Sequence, residues 1–324
     1  MTNKWLGLII PCKNEELNIG NLLNRIYEIG IENSILIYPI IIDDGSKDKT
    51  YKIAQKMLGK LFFNKFSLIS FTRNFGKEAS IFAGLKESKS LDCCIVIDAD
   101  FQDSPEVIVQ MYKEWLKGAQ IVSCIRKGRL QSDGILMASL TSIFYFIFKA
   151  SSNMNYRRNV GDFRLIDKKV IKYLLSFSEI NTFYKGMTTW IGAKEVFIES
   201  ERPKRKKGSS GWDIWTKFNY AIDGIFSFST VPIRIWSYFG LLLITIGLVY
   251  LFTLVFINIM GMVAWEPGFL TTVSIIFIIG GFNLIGIGLL GEYVGRIFQE
   301  VKNRPKYFIR QSTSNLKKIN SEIK

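Results

Sequence analysis

Over the first 125 residues, short β-branched apolar runs alternate with amphipathic stretches of helical length. The runs Leu6 to Ile10, Ile35 to Ile42, Phe66 to Phe71, Cys93 to Ile97 and Ile121 to Cys124 predict strands, because each is short, apolar and flanked by polar or turn-forming residues. Between them, Glu15 to Ile29, Lys47 to Leu58, Glu78 to Glu87 and Pro105 to Leu116 predict helices. The alternation implies an α/β domain: a parallel-core sheet with helices on both faces. No internal repeat or low-complexity tract is present.

Further along, the grammar changes. No charged residue occurs from Ile235 to Trp265, nor from Pro267 to Gly291. Each stretch exceeds the roughly 20 residues that an α-helix needs to cross hydrocarbon, and the break around Glu266 and Pro267 suffices only for a tight loop. Two spans in a hairpin are expected. Arg234 precedes the first span, and Arg296, Lys302, Arg304, Lys306 and Arg310 follow the second, so the positive-inside rule places both ends in the cytoplasm. Two other segments read as interfacial, with aromatic rings among basic residues: Ile135 to Phe148 and Trp212 to Trp236. For Ile135 to Phe148, packing on the sheet as core is an equal reading. The expected division is residues 1–210 as a cytoplasmic domain, 211–234 as an interfacial segment, 235–295 as the membrane hairpin and 296–324 as a basic tail.

Composition narrows the chemistry. The 324-residue chain has 42 Lys and Arg against 28 Asp and Glu, a net charge of +14, and no histidine. Mechanisms that need imidazole are thereby excluded, leaving carboxylates, Lys, Arg or a carboxylate-bound metal. The four cysteines, Cys12, Cys93, Cys94 and Cys124, have no zinc-site spacing and read as reduced, buried apolar residues. The basic run Arg202 to Lys207 and the tail point to anionic inner-leaflet lipids and a lipid phosphate rather than nucleic acid, since no nucleic-acid-reading motif accompanies them.

In open α/β sheets, ligands bind beyond the carboxyl ends of the strands. The residues following the apolar runs are polar: Pro11, Lys13, Asn14 and Glu15; Asp43, Asp44, Gly45 and Ser46; Thr72, Arg73 and Asn74; Asp98, Asp100, Gln102 and Asp103. The Asp98-Ala-Asp100 pair after a buried strand suits a hard divalent cation, Mg²⁺ or Mn²⁺, beside a phosphate-bearing substrate, although the same residues also serve as turn chemistry. Asp43-Asp44-Gly45-Ser46 is a turn and helix entry on any reading, and its carboxylates can also accept hydrogen bonds from a base or ribose. Neither a dinucleotide glycine fingerprint nor a P-loop occurs.

Five segments, Pro11-Cys-Lys-Asn-Glu-Glu16, Asp43-Asp-Gly-Ser-Lys-Asp48, Arg73-Asn-Phe-Gly-Lys-Glu78, Asp98-Ala-Asp-Phe-Gln-Asp103 and Gly161-Asp-Phe-Arg-Leu-Ile-Asp167, together resemble family 2 glycosyltransferases of the polyprenyl-phosphate type. Gly291-Glu-Tyr-Val-Gly-Arg296 and Arg304-Pro-Lys-Tyr307 extend the resemblance to the bactoprenol glucosyltransferases of O-antigen modification, relatives of dolichyl-phosphate mannose synthase. The resemblance implies a GT-A-type, Rossmann-like fold. It implies a nucleotide pocket lined by Pro11, Asn14, Glu15, Asp43 and Asp44, and Asp98 near ribose and metal. Asp100 and Gln102 would hold the ion, and Asp162 would be the catalytic acid. Arg205 would lie against the donor diphosphate, and Arg126 and Arg129 would receive the acceptor phosphate. The chain departs from the pattern at Gly211, where relatives usually carry lysine, and at Leu136 and Met137, where they often carry basic residues.

The implied reaction is inverting transfer of a hexose, glucose from UDP-glucose, to undecaprenyl phosphate. The same reaction with an aminoarabinose or mannose donor, and a non-catalytic membrane scaffold, are the alternatives. Self-association into a homo-oligomer is left open by the sequence.

Overall fold

The computed structural model describes residues 4–126, 160–179, 183–200 and 268–316 and, in part, 236–260. Eight strands form one sheet: β1 (Trp5–Cys12), β2 (Leu36–Asp43), β3 (Ser67–Phe71), β4 (Cys93–Val96), β5 (Ile121–Arg126), β6 (Val160–Asp167), β7 (Glu195–Ser200) and β8 (Ile309–Ser314). Their order is β7-β5-β6-β4-β1-β2-β3-β8. The four strands from β4 to β3 run parallel, as the alternating pattern requires. The sheet as a whole is mixed: β6 runs antiparallel to β4 and β5, and β8 antiparallel to β3.

The described helices are α1 (Ile19–Glu32), α2 (Thr50–Leu61), α3 (Lys77–Glu87), α4 (Val107–Leu116), α5 (Lys168–Ser176), α6 (Tyr184–Trp190) and α7 (Phe269–Lys302). Successive strand residues face opposite sides. Leu6, Leu8 and Ile10 of β1 therefore join a core with α1, α2 and α4, while Trp5 and Ile9 join a second core with α3, α5 and α6. Burial on both faces explains why the central strands read as unbroken apolar runs. All four cysteines are free and buried.

Three of the predicted helix starts move inward by two to four residues. The helices expected from Glu15, Lys47 and Pro105 begin at Ile19, Thr50 and Val107. In the first two cases the intervening polar residues tie one loop to the other: Glu15 N donates to Thr50 Oγ1 at 2.8 Å and Glu16 N to Asp48 Oδ2 at 3.3 Å. Within the expected basic tail, residues 317–324 lie outside the described residues. Residues 296–302 complete α7, and 309–314 become β8.

Helix α7 has 34 residues and no charge from Phe269 to Gly291. Among the described residues, no helix is long and apolar enough to cross a membrane. Most of the first expected span, 235–265, and many side chains of the second lie outside the described residues, as do the interfacial segment at 135–148 and nearly all of that at 212–236.

Candidate active site

The carboxyl ends of β1, β2 and β4 and the amino end of β6 bring the chemistry to one edge of the sheet. Two loops make its first wall. Asn14, with φ +53°, donates from its backbone N to Ser46 Oγ at 3.0 Å, and its Oδ1 accepts from Lys47 N at 3.0 Å. Pro11, the last strand residue but one, and Glu15 are half-buried beside this clamp.

Asp43 and Asp44 are sealed from solvent. Asp43 accepts from Ser46 N at 3.0 Å on Oδ1 and from Ser70 Oγ at 2.7 Å on Oδ2. Asp44 accepts from Phe75 N at 2.6 Å and Gly76 N at 2.9 Å, which joins the second turn to the third. Burial raises the Asp44 carboxyl above its ordinary range, and the two backbone donors pull it part of the way back. Both aspartates thus tie the loops of this edge together. Gly45 makes the turn possible: its φ is +67°, and a Cβ there would lie 2.6 Å from the carbonyl carbon of Arg73.

The charged centre lies between β4 and β6. Lys77, the first residue of α3, places Nζ 2.6 Å from Asp98 Oδ1 and 2.8 Å from Asp162 Oδ2. Lys185, at the start of α6, lies 3.5 Å from Asp162 Oδ1, an atom with no hydrogen bond among the described residues. The register of β4 on β6, Val96 opposite Arg164, sets Asp162 just past the end of β4 and next to Asp98. Burial alone would raise the Asp162 carboxyl, but Lys185 and Lys77 outweigh it and hold the group far below the carboxylate range. Burial likewise opposes charge on Lys77, yet Asp162 and Asp98 keep its ammonium well above the usual lysine range. Asp162 is therefore a fixed anion. Arg164, fully buried on the same strand, donates from Nε to the Gly161 carbonyl at 3.1 Å and from Nη1 to Thr188 Oγ1, fixing the backbone that presents Asp162.

Asp100 and Gln102 sit in the turn after β4, where Gln102 N donates to Asp100 Oδ1 at 3.1 Å. Two acids and an amide oxygen are the right donors for a hard divalent ion. Asp98, the third residue of the expected ligand set, directs Oδ1 at the Lys77 ammonium. Among the described residues no group of three or more acids or cysteines gathers as a ready cage. Asp98, Asp100 and Gln102 carry the hard oxygen donors that would suit such an ion. Arg126 ends β5, but its side chain lies outside the described residues, as do Arg129 and Arg205.

The chain matches the description "Glycosyl transferase family 2" over residues 8–175. The chain belongs to glycosyl transferase family 2. The SfII prophage-derived bactoprenol glucosyl transferase of Shigella flexneri is 39% identical over 312 residues, 95% of this chain and 98% of that protein. The prophage bactoprenol glucosyl transferase homolog of Escherichia coli K12 is 38% identical over 311 residues, 94% and 98% of the two chains. The uncharacterized glycosyltransferase sll0501 of Synechocystis sp. is 35% identical over 305 residues, 94% of each. The mixed α/β sheet is accordingly a GT-A-like glycosyltransferase core, and the protein is an enzyme of the transferase class.

Sequence reasoning gave no role to Lys77 and Lys185 of this glycosyltransferase. Lys77 falls inside the Arg73–Glu78 segment, where the glycine before it signals a helix start, but nothing in the spacing says that its ammonium reaches two acids from other strands.

Proposed function

We propose that this glycosyltransferase transfers glucose from UDP-glucose to undecaprenyl phosphate, inverting the anomeric carbon, to give a polyprenyl-phosphate sugar for O-antigen or cell-envelope glycan modification. The observation that carries this reading is 38–39% identity over nearly the full length to proteins named bactoprenol glucosyl transferase, together with the carboxylate and ammonium cluster at the strand edge.

In this reading an oxygen of the lipid phosphate attacks the anomeric carbon, the bond from that carbon to the donor diphosphate breaks, and UDP leaves with the bonding electrons. A phosphate monoester is largely ionised near neutral pH, so little base strength is required. Asp162, held as an anion, keeps Lys77 and Lys185 where they can meet the incoming phosphate and the sugar. The walls made by Pro11, Asn14, Glu15 and the 43–46 turn receive the nucleotide, with Asp98 near the ribose. On the family resemblance, Arg205 would bind the donor diphosphate, and Arg126 and Arg129 the acceptor phosphate. Asp98, Asp100 and Gln102 would hold a divalent ion, Mg²⁺ or Mn²⁺, which would neutralise the charge that builds on the leaving diphosphate.

We further place the protein in the bacterial cytoplasmic membrane, with residues 235–295 as a two-span hairpin and the catalytic domain and both termini on the cytoplasmic side. The charge-free stretches, the flanking basic residues and the lipid nature of the acceptor support this placement. The test is a donor panel: full-length protein with undecaprenyl phosphate, Mg²⁺ or Mn²⁺ and labelled UDP-glucose, UDP-aminoarabinose or GDP-mannose. One charged lipid product from UDP-glucose is expected. Product from another donor alone would replace the sugar assignment, and none from any donor would leave the scaffold reading.

A further inference from the structure

We propose that β8, the strand that follows α7, completes the donor site, and that Arg310 on it is a positioning residue for the nucleotide-bordering turn. This rests on the reading that the 43–46 turn borders the nucleotide.

The strand is anchored to the catalytic sheet. It pairs antiparallel with β3, in a register that sets Gln311 opposite Ser70. Just before it, Tyr307 stacks on Phe71 with ring centroids 4.7 Å apart, and the Phe308 carbonyl accepts from Thr72 N at 3.0 Å. Beyond it Leu316 is buried in the core beside α3 and α5. Contacts at both ends fix where Arg310 stands.

From that position Arg310 Nη2 donates to Ser70 Oγ at 3.0 Å and lies 3.9 Å from Asp43 Oδ2. Ser70 Oγ passes its own proton donation to Asp43 Oδ2 at 2.7 Å, and the other Asp43 oxygen accepts from Ser46 N. Ser46 Oγ in turn accepts from Asn14 N. A guanidinium, a hydroxyl, a carboxylate and two backbone donors therefore form one polarised chain from the sheet edge to both loops of the pocket. The Asp43 side chain is 1% exposed, whereas that of Arg310 is 49% exposed. The buried anion thus draws on a cation that a different part of the chain supplies, one that enters only after the long helix.

Because Arg310 is half-exposed, removing it takes little packing from the core, but it loosens Asp43 and with it Ser46 and Asn14. Donor binding is where the loss falls. The experiment measures binding of UDP and of GDP by titration calorimetry, with Mn²⁺, to purified full-length protein in detergent, alongside steady-state kinetics. For Arg310→Ala the Kd of the nucleotide that binds, and the KM for the matching sugar nucleotide, rise about tenfold, on the scale of a charge-assisted hydrogen bond. The value of kcat falls much less, and the thermal midpoint stays near that of the wild type. Arg310→Lys, which keeps the charge and loses the fork, recovers part of the affinity. Ser70→Ala breaks the relay at its middle, so its effect and that of Arg310→Ala do not add.

Wild-type binding with an unchanged Kd in Arg310→Ala would overturn the proposal. So would strictly additive losses in the Arg310→Ala/Ser70→Ala pair, since Arg310 would then act independently of Ser70. If the wild type binds neither UDP nor GDP, the nucleotide reading of the turn fails first and takes this role with it.

Discussion

Replacing Lys77 by Met removes the cation shared by Asp98 and Asp162 while keeping much of the side-chain volume. The ammonium lies 2.6 Å and 2.8 Å from the two carboxylates, and the side chains of Lys77, Asp98 and Asp162 are 28%, 25% and 15% exposed. Removing one partner of a fully buried pair costs about 3–5 kcal/mol, because the other charge is stranded. Partial exposure and the remaining Lys185 at 3.5 Å reduce the expected loss to roughly 2–3 kcal/mol. For a domain of this size that corresponds to a fall in Tm of roughly 5–10 °C. Asp162→Asn should cost less, about 1–2 kcal/mol, since Lys77 keeps Asp98. In the double variant Asp98 still lacks Lys77 but the Asp162 charge is gone, so it should be no less stable than Lys77→Met alone. Thermal unfolding of the four full-length proteins in one detergent, followed by near-UV circular dichroism, reads the coupling directly. Additive losses, with a coupling below about 0.5 kcal/mol, would refute the claim that the two side chains hold each other.

Asp100→Asn should lower turnover by about 100-fold or more with little change in fold, because the acid that best fits a divalent ion is lost; steady-state rates over a Mn²⁺ series check this. Gly45→Ala forces a Cβ into the Arg73 backbone at a φ of +67° and should cost about 2 kcal/mol or more, visible as a lower thermal midpoint and weaker nucleotide binding. The pH dependence follows from the signs of two shifts. Asp162 is held below its ordinary 3.8, so its contribution to stability is full above that pH and is lost as pH falls through the native value. Lys77 is held above its ordinary 10.5, so its contribution is full below that pH and is lost as pH rises through the native value. Thermal midpoints of the wild type and Lys77→Met should therefore differ constantly from pH 5 to 9 and converge on strong acidification.

The parallel core was legible because its strands are buried on both faces, and burial writes itself as runs such as Ile35 to Ile42. The antiparallel strands β6 and β8, and the edge strand β7 that pairs parallel with β5, were not. β7 reads Glu-Val-Phe-Ile-Glu-Ser and is only partly buried, while β8, Ile-Arg-Gln-Ser-Thr-Ser, is exposed along its whole length. β8 is held by backbone pairing and by Tyr307 and Leu316 at its flanks, neither of which leaves an alternating pattern in the strand itself. The site divides in the same way. Asp43, Asp44, Asp98 and Asp100 follow apolar runs and could be placed at the sheet edge from position alone. Lys77, Lys185 and Arg310 reach the same edge from two helix starts and a remote strand, and their sequence neighbours look like those of any solvated lysine or arginine.

Charge accounting at this edge connects the described site to the basic excess of the chain. Lys77 is shared by Asp98 and Asp162, and Lys185 and Arg164 also stand by Asp162, so these cations are already engaged before any substrate enters. On the proposed reaction, a sugar nucleotide and a lipid phosphate both bring negative charge to a place with none to spare. Without further cations the two substrates would repel each other more strongly as they approached than the cluster could offset. A divalent ion at Asp100 accounts for two of the charges needed. Arg310, Arg73 and Lys13 at this edge, and in the sequence the run Arg202-Pro-Lys-Arg-Lys-Lys207 with Arg126 and Arg129, are further cations the chain offers. On that reading the net charge of +14 serves to bring two anions together.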